Sequence, residues 1–262
     1  MSTEAAINIS QLPVLGRNVM TIASGKGGVG KTWFAITLAH ALAKSGRKTL
    51  LFDGDLGLAN VDIQLGLMPD RDLASVIVGK LTLAQSVIDV PEIGFSVIAG
   101  RSGSGSLALL PPQRLNALRE QLLLLAASYD SMIIDLGAGV DRTVQSLPPP
   151  RGACFVVTTD EPTALTDAYA FIKVTIADRP NADIRVVVNL AESQSAGEKT
   201  YETLARACRS FLKFEPPLAG IIRRDGKVRQ CIQQQKPLLT LYPNCDAAAD
   251  VERLARNLPR PP

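Results

Sequence analysis

The sequence predicts an α/β fold: a doubly wound, mainly parallel sheet with helices on both faces. Short apolar runs rich in β-branched residues alternate with longer segments of helical periodicity along most of the chain. That is the pattern of strands buried on both sides and covered by helices. The first run leads at once into a glycine-rich loop and then a helical pattern. Carboxylates directly follow two of the runs, the region where open α/β sheets bind their ligands.

Taken in order, residues 19–23 read as the first buried strand, and 33–44 as a helix whose Phe34, Ile36, Leu38, Ala41 and Leu42 share one broad face. Residues 49–52 read as the second strand and 73–78 as a helical pattern. A third strand is expected at 94–99, a helix at 113–127 and a fourth strand at 131–134. Beyond them, strands at 153–158, 184–188 and 218–222 alternate with helices at 162–177, 195–212, 225–233 and 247–257. Residues 1–17 read as a short flexible leader and 18–262 as a single domain, with no repeat or linker. The Ser/Gly-rich stretch 101–106 and the triple proline 148–150 read as surface connections.

The loop after the first strand, Ser24-Gly25-Lys26-Gly27-Gly28-Val29-Gly30-Lys31-Thr32, fits the phosphate-binding pattern G-x-x-x-x-G-K-[ST]. Glycines permit a tight loop, Lys31 supplies charge for phosphates, and the Thr32 hydroxyl suits Mg²⁺. Strand, loop and helix in that order aim the loop amides and the helix N-terminus at an anion. Lys26, directly after the first glycine, is a second lysine that an ordinary phosphate loop does not need.

The second strand leads into Asp53-Gly54-Asp55 and the fourth into Asp135. Beside a phosphate loop, one such carboxylate can hold a metal-bound water while a neighbour orients an attacking water. Asp135 after an apolar strand has the position of an acid that holds Mg²⁺, usually through water. Each acid taken alone also suits a helix N-cap or an Asx turn. Gly57, Gly137 and Gly139 leave both following loops free to move.

Composition narrows the alternatives. Of 262 residues, 46% are hydrophobic and 20% charged, an ordinary globular balance, and a net charge of +3 does not imply nucleic-acid binding. Four scattered cysteines form no C-x-x-C pair, which disfavours an iron–sulfur or zinc site and fits reduced thiols of the cytoplasm. The single histidine, His40, falls inside the first helix as a near-core residue, so chemistry built on histidine is excluded. No apolar run approaches the ~20 residues of a membrane span, and no secretory segment is visible.

With KGGVGKT in its loop, the chain resembles the MinD/ParA group of P-loop ATPases, of the deviant Walker A type, from residue 19 to 258. Three stretches resemble the FlhG/FleN subgroup of flagellar number regulators: LLFDGDLGLANVDIQLGL at 50–67, TTDEPTALTDAYAFIK at 158–173, and the Ser/Gly-rich loop after Gly100. The resemblance implies an ATP-dependent homodimer with slow, Mg²⁺-dependent ATP hydrolysis. In it, Gly25, Lys26, Gly27, Gly28, Val29, Gly30, Lys31, Thr32 and Trp33 surround the nucleotide. Lys31 would bind the β- and γ-phosphates and Thr32 would ligate Mg²⁺. Asp53 would assist the metal shell, Asp135 would be the Walker-B acid, and Asp55 would orient the hydrolytic water. Lys26 would complete the site of the other subunit. Asn189 would contact adenine, aided by the loop carrying Arg223 and Asp225.

The chain departs from the family in having Ile222-Arg223-Arg224-Asp225 where Ile-Pro-x-Asp is common, Leu136 where threonine is usual, and a large Trp33 after the loop. The resemblance implies a flagellar regulatory partner, either an FlhF-like GTPase or a FleQ-like transcription regulator. The D-Q-A-x-x-L-R string by which some members stimulate that GTPase is absent from residues 1–17. MinD-like proteins usually end in a cationic amphipathic helix; residues 247–258 read instead as a core helix running into prolines, so no membrane anchor is expected. Arg223, Arg224, Lys227 and Arg229 form a basic cluster, either a solvated face or a site for DNA or an acidic partner. A MinD- or ParA-like positioning or partitioning ATPase acting on membrane or DNA, and a nucleotide-binding scaffold without turnover, therefore remain as alternatives.

Overall fold

The computed structural model describes residues 16–55, 57–100 and 110–259. The leader up to residue 15, the Ser/Gly-rich loop at 101–106 and residues 260–262 lie outside them. Strand β1 (Val19–Ser24) is followed by helix α1 (Lys31–Lys44), and β2 (Thr49–Gly54) by the short helices α2 (Val61–Leu65) and α3 (Leu73–Ile77). Next come β3 (Ile88–Val90), β4 (Phe95–Ile98), α4 (Pro112–Ala126), β5 (Ser131–Ala138) and α5 (Arg142–Ser146). The second half continues with β6 (Ala153–Thr158), α6 (Pro162–Asp178), β7 (Asp183–Ala191), α7 (Gln194–Leu212) and β8 (Leu218–Arg223). It closes with α8 (Gly226–Gln233), α9 (Leu238–Leu241) and α10 (Asp246–Arg256).

The sheet has the order β3-β4-β2-β5-β1-β6-β7-β8, parallel throughout except where β3 runs antiparallel to β4. Because successive side chains of a strand point to opposite faces, each central strand feeds two cores. From β1, Met20 and Ile22 enter the layer under α1 and α10, while Val19 and Ala23 enter the layer under α4, α6 and α7. In β6, Phe155 and Val157 face the first layer and Cys154 and Val156 the second. Strands buried on both faces have no polar alternation, which is why they read as continuous apolar runs.

Several elements go beyond the sequence reading. Edge strand β3 and helices α2, α5 and α9 span three to five residues, too short to establish a period. Helix α1 is buried almost all round, with Ala35, Thr37, Ala39 and His40 inside as well as the expected face. His40 packs against Phe95, and burial lowers its imidazole to about 4, so it is neutral near neutral pH. The triple proline corrects its reading as a surface connection: Pro148 and Pro149 are buried, and only Pro150 is exposed. No helix among the described residues is long and apolar enough to cross a membrane.

Strands β2 and β5 both run past the expected ends, to Gly54 and Ala138. Asp53 and Asp135 therefore sit inside neighbouring strands, paired in register, rather than on the loops beyond them.

Candidate functional site

A cavity of about 490 Å³ opens beyond the C-terminal ends of β1, β2 and β5, lined among others by Gly28, Lys31, Thr32, Asp55, Asn60 and Gly137. Its floor is the loop between β1 and α1. Helix α1 starts directly after Gly30, which has φ 89° and provides no side-chain cap, and its first turn carries no acidic residue. The N-terminal amides and the positive end of the helix dipole are thus left for an anion. By contrast Asp72, Ser193 and Asp225 cap α3, α7 and α8 with their side chains.

Two glycines of this loop are required by close approach. A Cβ on Gly25 would stand 2.1 Å from the carbonyl oxygen of Asp167 in α6, and one on Gly30 would stand 2.4 Å from Asn189 Nδ2. Asn189, buried at the top of β7, donates that amide to the Val29 carbonyl at 2.8 Å. It thereby holds the loop from below.

Lys31 is 8% exposed. Burial lowers its ammonium, while the charges of Asp135 and Asp55 push it back up. Asp135 takes a hydrogen bond from the Thr32 side chain, and its Oδ1 is buried without a partner. A buried carboxylate oxygen left unpaired beside a hydroxyl fits a cation or a cation-bound water. Asp53 is differently used. Its Oδ2 accepts from the backbone N–H groups of Asn60 and Val61, both at 3.0 Å, and its Oδ1 from that of Asp55 at 3.2 Å. It anchors the loop that carries Asp55. Asp55 Oδ1 in turn accepts from the N–H groups of Gly57 and Leu58 at 3.2 and 2.9 Å and lies against Gly137.

Burial raises the Asp53 carboxyl from 3.8 to about 7, opposed by its three backbone donors. Burial and the Asp53 charge raise Asp135 from 3.8 to about 8, opposed by Thr32 and Lys31. The folded state consequently holds more protons than the unfolded chain between these values, and stability falls as pH rises across that window. The ligand-free protein is expected to melt at a higher temperature near pH ~6 than near pH ~8.5, with Asp135→Asn flattening the slope. Calorimetric scans across that range would check it; a slope identical in wild type and variant would refute the assignment.

The structure does not bring every expected residue to the cavity. Arg223 turns to α10, where it pairs with Asp250 through Nε (2.9 Å) and Nη2 (3.0 Å) and with Asp246 at 2.9 Å. Asp250 is fully buried and also receives Arg253. Asp225 accepts from the N–H groups of Lys227 and Ala247, capping α8. Neither Arg223 nor Asp225 lines the cavity; both tie the last helices to the sheet edge. The basic cluster is weakened for the same reason, since Arg223 is neutralised and Lys227 lies 4.7 Å over the Tyr242 ring. Trp33 is buried with one edge at the cavity.

Lys26 does not line the cavity. Its Nζ pairs with the Glu161 carboxylate and donates to Thr163 Oγ1 at 2.8 Å, at the start of α6. Asn60, Gln64 and Ile232 also line the cavity; Asn60 and Gln64 fall inside the 50–67 stretch but carry no charge that marks them in the sequence, and Ile232 comes from α8, a helix distant in the chain. Among the described residues no group of three metal-binding side chains occurs, so a cation here would depend on a few protein oxygens and on its ligand's own.

This fold and loop define a nucleotide-binding protein, and residues 20–238 match the CobQ/CobB/MinD/ParA nucleotide binding domain, so the chain belongs to that family. It is 35% identical to the antiactivator FleN of Pseudomonas aeruginosa over 92% of this chain and 85% of that protein. It is 29% identical to the flagellum site-determining protein YlxH of Helicobacter pylori, over 90% of this chain and 80% of that one. The crystal structure of the cell division ATPase MinD of Pyrococcus furiosus superposes with a TM-score of 0.75 at 27% identity, covering 92% and 98% of the two chains.

Proposed function

We propose that this protein is an ATP-dependent dimerisation switch that hydrolyses ATP slowly and acts in setting flagellar number or placement. The observation that carries the reading is the division of labour between the two loop lysines. Lys31 is buried in its own cavity, whereas Lys26 stands outside it, partly exposed, where a second copy can reach it. Apolar side chains border the same mouth: Leu58 and Ile232 line the cavity yet are 71% and 36% exposed. Covering such residues with another copy removes apolar surface from water.

In this reading the loop amides and Lys31 hold the ATP phosphates, and Thr32 and Asp135 hold Mg²⁺ with Asp53 behind them. Mg²⁺, when bound, neutralises charge on the phosphates. Asp55 orients the water that attacks, and Asn189 keeps the loop in shape beneath. Kinship with the antiactivator FleN and the flagellum site-determining protein YlxH supports a flagellar role; in this reading the partner is a transcription regulator or a GTPase and the protein acts in the cytoplasm.

Sedimentation velocity with ADP and with ATP tests the reading. Wild type is expected to be monomeric with ADP and dimeric with ATP. Lys26→Ala is expected to remain monomeric with ATP while keeping ATP affinity within about threefold, since its charge lies outside its own site. Equal losses of affinity in Lys26→Ala and Lys31→Ala would overturn it.

A further inference from the structure

The contacts of Lys26 join two segments 135 residues apart. Glu161 is the N-cap residue of α6, but its side chain makes no capping bond to that helix. Its carboxylate is thus left to Lys26, which holds it below the usual carboxylate range. Pro162 at the first helical position pre-sets the turn and so places Thr163 Oγ1 beside the same ammonium. The distance between loop and helix is fixed by backbone, because Gly25 packs directly on the Asp167 carbonyl one turn further along α6.

Resting on the reading of Lys26 as a residue that serves the other subunit, we infer that Glu161 and Thr163 are positioning residues. In the monomer they hold Lys26 on its own α6, and the lysine must exchange them for the partner's phosphates when the dimer forms. The exchange is enforced by charge. A carboxylate carried along with Lys26 to a triphosphate would face like charge at close range, so Glu161 has to let go. The contact also keeps Lys26 from folding back onto its own loop's ligand. Since both side chains are partly exposed, at 35% and 61%, the hold is weak enough to be released by phosphate.

Two measurements on full-length wild type, Glu161→Gln and Glu161→Asp test this. The first is acylation of Lys26 by an amine-reactive reagent in the nucleotide-free protein, read by mass spectrometry. The second is the dimer dissociation constant with Mg²⁺ and adenylyl imidodiphosphate. Glu161→Gln is expected to raise the Lys26 labelling rate and to tighten the dimer, each by about twofold to fivefold, the range of an exposed ion pair. Glu161→Asp, which keeps the charge, is expected to fall between. Unchanged labelling would overturn the inference, and so would a weaker dimer in Glu161→Gln, which would make the carboxylate an asset of the assembled state. If neither wild type nor variants dimerise, the dimer reading itself fails and the latch falls with it. Raised labelling in Glu161→Gln would then distinguish that outcome from the absence of the contact.

Discussion

Replacing Lys31 by alanine is expected to lower ATP affinity by about 10²–10³-fold, through loss of about two charge-assisted hydrogen bonds. The ammonium sits 8% exposed at the start of α1, where water cannot substitute for it cheaply. Burial works against its charge, yet the charges of Asp135 and Asp55 favour the protonated form. Phosphate oxygens entering the cavity would meet a positive charge already desolvated and aligned, the condition under which such a bond is strongest. Arginine is not expected to rescue the variant, because a planar fork does not fit where a compact ammonium is enclosed. Trp33, the sole tryptophan, borders the cavity and offers its fluorescence as a direct readout. A dissociation constant within tenfold of wild type, with the fold intact by melting, would remove Lys31 from the binding role.

The contrast between the two lysines shows what was legible in the sequence. Lys31 could be read because its chemistry is local: strand, glycine turn, lysine, hydroxyl and helix follow one another within the chain. The sheet could be read because strands buried on both faces leave uninterrupted apolar runs, such as 153–158, which returns as β6 without change of bounds. Edge strand β3 could not, since Ile88-Asp89-Val90 gains its meaning only from lying against Phe95–Val97. Long-range electrostatics were likewise hidden. Arg223 stands where its neighbours suggested a nucleotide edge, but its partners arrive 23 and 27 residues later on α10. The bidentate geometry and the burial of Asp250 give Arg223 a structural role that its sequence neighbours do not announce. Glu161 lay within a stretch already singled out, yet only the fold brings it to Lys26. Asp53 was legible as an acid at the end of the second apolar run, while its three backbone donors, from Asp55, Asn60 and Val61, which make it the anchor of the Asp55 loop, are supplied only by the fold.

That anchoring bears on the second large effect. Asp55→Ala is expected to slow ATP turnover by about 10²-fold or more, the scale of losing a group that positions a reacting water. Nucleotide-dependent dimerisation is expected to persist, so that the variant accumulates as an ATP-bound dimer. Two physical roles compete as explanations of any loss. Asp55 carries charge into the cavity beside Lys31, and it also closes the turn by accepting from Gly57 and Leu58. Alanine removes both at once, and loss of the turn alone costs about 1 kcal/mol of local stability. Asparagine separates them, because its carbonyl oxygen can accept the same two N–H groups while the charge is gone. If orientation of water is the function, Asp55→Asn should hydrolyse as slowly as Asp55→Ala although its loop is restored. If instead the turn is what matters, Asp55→Asn should hydrolyse like wild type, and the catalytic role of Asp55 would have to be abandoned. Phosphate release measured alongside sedimentation distinguishes the cases, since a variant that neither dimerises nor turns over has lost the loop rather than the chemistry. Gly137 supplies a control. A Cβ there would stand 3.4 Å from Asp55 Oδ1, an ordinary van der Waals contact, so Gly137→Ala should leave the carboxylate in place and turnover within a few-fold of wild type.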